Sequence, residues 1–149
     1  MSHEIIHTAH DLGLGVSFGA GRDVRVPGTC WVYVGGGITA LVWEVVGTGK
    51  PLLLITFEEA ETVRVLDETW LSTETHPDRW EGIDGSFART VVGSEYPTSR
   101  DLMEQISGPI THYQFVTMAT CVDVLAGDQP KASFVDRDEL ERFRIGYIA

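Results

Sequence analysis

Cys30 to Phe57 reads CWVYVGGGITALVWEVVGTGKPLLLITF. Three runs rich in Val, Ile, Leu and aromatic residues are separated by two short breaks, GGG and GTGK. Breaks this short allow hairpins and forbid the long crossovers that parallel strands need. The stretch predicts an antiparallel meander whose middle strand is Ile38 to Val46. Apolar residues occur at both parities of these runs, so both faces must be covered, which puts them at the centre of a sheet.

Working outward, the N-terminal 26 residues carry short apolar pieces broken by Gly13, Gly15, Gly19 and Gly21. These glycines form neither a dinucleotide-binding nor a Walker pattern. Downstream, Thr56 and Glu59 fit a capping box, and acids crowd the positions after it. Val63, Leu66 and Trp70 then recur at helical spacing, predicting a helix over Glu58 to Leu71. A strand through Thr62 to Leu66 competes, because Val63 and Val65 also alternate with Thr62 and Arg64. Ser72 to Ser86, with Pro77, Gly82 and Gly85, reads as a long loop.

Phe87 to Val92 reads as a short strand. Thr98 and Asp101 open a short helix that ends near Ser107, Gly108 and Pro109. Thr111 to Leu125 reads as one long, bent strand. Gly127, Asp128 and Pro130 make a turn, Ala132 to Val135 a further strand, and Asp136 with Glu139 caps a helix reaching about Arg144, with Leu140 and Phe143 inward. The resulting expectation is an α+β fold: one domain over residues 1–149, with a single largely antiparallel, strongly bent sheet and two or three short helices packed on it.

Composition narrows the function. The apolar share of 43% and charged share of 22% suit a globular chain. No apolar run approaches the ~20 residues of a membrane span, and the first residues lack a secretory pattern, so the expectation is cytoplasmic. The net charge is −11. Nine acids against two arginines between Glu58 and Asp84 supply most of it. Nucleic acid and acidic membrane surfaces need the opposite sign, so neither is an expected partner. Cys30 and Cys121 each lie in apolar runs and read as buried thiols. No cofactor signature is present.

Three functional expectations follow. The leading one is a small acidic protein that binds a basic protein partner, in the manner of an inhibitor or immunity protein. Its binding face would carry Glu58, Glu59, Glu61, Glu68, Trp70 and Trp80, with charge to speed encounter and aromatic anchors to hold. The alternative is an enzyme or ligand-binding fold whose apolar pocket holds Glu44, His112 and Asp123. Glu44 and Asp123 interrupt apolar strands, where burial would raise a carboxyl pKa; Glu44 also stands near a strand end, where it can reach water.

The third expectation comes from His3-Glu4-Ile5-Ile6-His7, an HExxH that resembles the zincin metalloproteases over five residues. On a helix, His3 and His7 would bind zinc and Glu4 would activate the metal-bound water. The motif begins at residue 3, where a helix frays. Ile5 and Ile6 favour a strand, which would set the two histidines ~13 Å apart. The expectation is therefore that His3 and His7 hold no metal. Finally, HYQFVTMATCVDV and SFVDRDEL resemble the closing strands of Nudix hydrolases, but the REXXEE core of that family is absent, so its activity does not carry over.

Overall fold

A computed structural model describes residues 6–19, 22–27, 30–67, 87–93, 100–117 and 120–148. The meander forms as its turns imply. Strands β2 (Cys30–Gly35), β3 (Ile38–Glu44) and β4 (Leu52–Phe57) pair antiparallel. Gly36 and Gly37 both have positive φ, 57° and 77°, the requirement of a two-residue turn matched to strand twist. β3 ends at Glu44, two residues short of the expected Val46.

The expected α+β fold built on a single sheet is overturned: strands dominate the described residues, and they form two antiparallel sheets. One sheet has the order β2-β3-β4-β9, with β9 at Lys131–Val135. The other has the order β1-β6-β7-β8-β5. Its members are β1 (Ile6–Ala9), β5 (Ala60–Asp67), β6 (Ala88–Val92), β7 (Thr111–Val116) and β8 (Thr120–Ala126). Every strand pair is antiparallel.

The cause is a pair of corners. The chain leaves one sheet at Glu58–Glu59 and returns to it after β8 through Gly127–Pro130. Asp128 ties the corners together, its carboxylate accepting from the backbone N–H of Glu58 at 2.8 Å and of Glu59 at 2.9 Å. The Gly127 N–H donates to the Glu59 carbonyl at 3.0 Å. These bonds, with the strand Ala60–Asp67 that follows, overturn the expected helix over Glu58 to Leu71 as far as Asp67, and its last four residues lie outside the described residues. The first amides, read as helix starts, belong to a corner. The alternation of Val63 and Val65 with Thr62 and Arg64 prevails, because β8 lies alongside to pair every residue from Thr62 to Asp67.

The run Thr111 to Leu125 is likewise two strands, not one. The Thr117 N–H donates to the Thr120 carbonyl at 2.9 Å, and the Thr120 N–H to Thr117 Oγ1 at 3.0 Å. Those two bonds close a hairpin between β7 and β8.

The two sheets enclose the main core. Leu41, Trp43, Leu53, Ile55 and Phe57 from one meet Tyr113, Phe115, Val122 and Val124 from the other. The rings interlock at edge and tilt angles: Trp43 lies 5.0 Å from Phe87 and 5.3 Å from Phe115. Each fully buried side chain of this size is worth roughly 1.5–3 kcal/mol. The opposite face of the β2–β9 sheet buries Ala40, Val42, Leu52, Leu54 and Val135 under Leu140 and Phe143. Those two residues belong to α2 (Arg137–Phe143), which carries the expected Asp136–Glu139 capping box and leads into a π-helical turn, Arg144–Ile148. A second short helix, α1 (Arg100–Ser107), precedes β7. Thr98, expected to cap it, lies outside the described residues. No helix among the described residues is long and apolar enough to cross a membrane.

Candidate functional site

Two features stand apart from the packing of the sandwich. The first is a row of polar side chains on the outer face of the five-stranded sheet. Arg89, Gln114, Asp123 and Arg64 stand directly opposite one another across β6, β7, β8 and β5. Asp123 is fully buried and gathers its neighbours. Arg64 donates through Nη2 at 2.9 Å and Nε at 3.3 Å to Oδ2. His112 Nε2 lies 2.7 Å from Oδ1, and Gln114 donates to the same oxygen at 3.2 Å. His112 is as fully buried as Asp123. In such surroundings a carboxylate is stable only with this many donors.

The row brings together two of the three residues expected in a pocket. Read as one strand, Thr111 to Leu125 puts His112 and Asp123 on opposite faces; the hairpin at Thr117–Thr120 folds them onto one. Glu44 is elsewhere. It ends β3 in the other sheet, half exposed, with Arg137 Nη2 3.7 Å away. Arg64, Arg89 and Gln114 were not singled out from sequence, although a buried Asp123 already demanded a cation.

The second feature is a seam. Among the described residues β2 and β5 each have one strand neighbour, and both border the same open groove of about 450 Å³. Its walls include Val32 and Val34 from β2, and Glu61, Val63 and Val65 from β5, with Thr39 also lining it. Val34 is 70% exposed and Val65 43%, so this apolar surface faces water. Trp31, on the other face of β2, is 39% exposed.

The acidic residues expected to bind a partner fall partly here. Glu61 lines the groove, and Glu58 and Glu59 form the corner just before β5. Glu58 is largely exposed and lies 3.6 Å from Lys131. Glu68, Trp70 and Trp80 lie outside the described residues.

Of the HExxH residues, only Ile6 and His7 are described. They lie in β1, an edge strand, with His7 opposite Val91 on β6. Those two residues are in extended backbone, where a zincin site needs a helix; His3, Glu4 and Ile5 lie outside the described residues. Among the described residues no three His, Cys, Asp or Glu side chains gather in a way that could hold a metal. Neither cysteine is in a disulfide, and burial pushes the Cys30 thiol up to about 12, so it stays protonated at neutral pH. In comparisons with known proteins, no family model, no curated protein and no solved structure matches the chain.

Proposed function

We propose that the protein binds a basic protein partner, and that the partner docks at the seam between β2 and β5. The observation that carries this reading is the groove itself. It offers exposed Val34 and Val65 beside the Glu61 carboxylate, in a chain whose net charge is −11. Monomeric proteins seldom leave a contiguous apolar patch open without a use for it. Acids at and beside the groove draw a cation in and reject an anionic competitor. An inhibitor or immunity role would use both properties. Cys30 and Cys121, neither of them in a disulfide, fit a reducing, cytoplasmic setting.

The enzymatic alternative rests on the His112–Asp123 contact alone. Both side chains are fully buried, so substrate could reach neither without movement of the protein. Their contacts suit a structural ion-pair network equally well.

The test uses an alternating Lys-Val octapeptide as a defined basic probe. Changing Glu58, Glu59 and Glu61 to Gln should slow its association by about tenfold at low ionic strength and flatten the salt dependence. It should leave the melting temperature equal or slightly higher, since like charges no longer repel. A variant that captures the peptide as fast as the parent, with the same salt dependence, reduces the acidic corner to a solubility feature.

A further inference from the structure

Resting on that reading, we propose the mode of docking: the partner contributes one extended basic segment that adds to β2 as a strand and lies along the seam.

The argument starts from backbone parity. The Gly36–Gly37 turn pairs Gly35 with Ile38, and a two-residue loop makes that pair hydrogen-bonded. Antiparallel pairs alternate between bonded and non-bonded, so Tyr33 and Trp31 turn their backbone groups toward β3. Val32 and Val34 turn theirs away from β3. On the other side of the groove, Thr117 N–H to Thr120 carbonyl marks a bonded pair of β7 and β8. Alternation then assigns Asp123 and Leu125 to bonding with Arg64 and Thr62 of β5. Val63 and Val65 are left with backbone groups directed away from β8. The four valines whose side chains line the groove thus turn their N–H and C=O groups away from the strands they pair with.

Proteins usually blunt an open sheet edge with a charge, a proline, a bulge or a very short strand. β1 is only four residues long, and β9 begins with Lys131. β2, reading CWVYVG, has none of these devices in its own sequence, and the C-terminal turn touches it through Arg144 over the Tyr33 ring at 4.9 Å, on the face opposite Val32 and Val34. An edge left this open suits strand addition, where main-chain bonds supply affinity and side chains supply selection.

The charge distribution selects the occupant. A second copy would bring a net −11 against −11. A segment with apolar residues at alternate positions would instead cover Val32, Val34, Val63 and Val65. A lysine or arginine in it would reach Glu61.

The test compares four octapeptides: Lys-Val, its two forms N-methylated at the odd or at the even residues, and Glu-Val. A Val34→Pro variant is included, because proline is tolerated where a strand N–H faces outward. Strand addition requires that methylation in one of the two alternate registers, and Val34→Pro in a still-folded protein, each weaken Lys-Val binding by about tenfold. It also requires that Glu-Val bind more weakly still. If the methylated peptides bind within about twofold of the parent while Glu-Val does not bind, strand addition is overturned and the basic-partner reading survives. If no Lys-Val peptide binds, both fall. A concentration-dependent dimer in sedimentation that excludes the peptide makes the occupant a second copy and overturns the proposal.

Discussion

Asp123 is the residue whose replacement should most disturb the fold without changing its volume. In Asp123→Asn the shape persists, but the negative charge that holds Arg64 and His112 is gone. The new amide nitrogen must also face donors on one side or the other. Stripping one partner from a buried pair costs about 3–5 kcal/mol. The Arg64 side chain is 28% exposed and can recover some hydration, which sets the expectation at the lower end, about 3 kcal/mol. For a chain of this length, that lowers the melting temperature by roughly 6–12 °C. Urea unfolding, followed through Trp43 between the sheets, gives the free energy directly. Arg64→Met and the double variant complete a cycle whose coupling should exceed about 1 kcal/mol. A loss in Asp123→Asn below about 1 kcal/mol, or a cycle that is simply additive, would refute the view that the row is a tightly coupled charge network.

Two further changes probe the frame around the seam. Gly47 has φ of 109°, and a β-carbon there would stand 2.3 Å from the Asp23 carbonyl oxygen, so Gly47→Ala should cost at least about 2 kcal/mol in urea unfolding; a neutral result would mean that residues 22–27 do not pack against the β3–β4 turn. Asp128→Ala removes both acceptors of the corner amides and should lower stability by about 2 kcal/mol, with faster amide exchange at Glu58 and Glu59; unchanged exchange there would show that the corner holds without its clamp.

Several local elements of this fold are legible in the chain, its two-sheet, mostly β class is not, and the failures share a cause. The β2–β4 meander, the Asp136–Glu139 cap and the inward faces of Leu140 and Phe143 depend on turn chemistry and periodicity within a few residues. The switch between sheets depends on Asp128 reaching amides seventy residues earlier in the chain, and no local pattern encodes that reach. Glu58 and Glu59 look like the acidic first turn of a helix because the same exposed amides attract a carboxylate in either setting. Val63, Leu66 and Trp70 fit a helix as well as Val63 and Val65 fit a strand, and a neighbouring β8 decides between them. For the site, the oddity of Asp123 in an apolar run was visible. Its company with His112 in one pocket is an expectation of the sequence, but the hairpin that joins them is not legible, because the turn at Thr117–Thr120 contains neither glycine nor proline. The seam was invisible for a different reason: an unpaired edge is a property of where strands end up, not of what they contain.

The corner clamp also bears on how the chain is made. β4, reading LLLITF, is flanked by β3 early but receives β9 on its other side only after Lys131 has been added. β5 must wait for β8. At synthesis rates of roughly 5–20 residues per second, the interval between Glu58 and Asp128 lasts about 4–14 seconds. Throughout it, the nascent chain carries an apolar strand with an unsatisfied edge. Neither sheet can be completed from the N-terminal half alone, so folding is gated by the arrival of the last strands. Until then the burden of keeping LLLITF from pairing with neighbouring nascent chains falls on the ribosome surface and on chaperones.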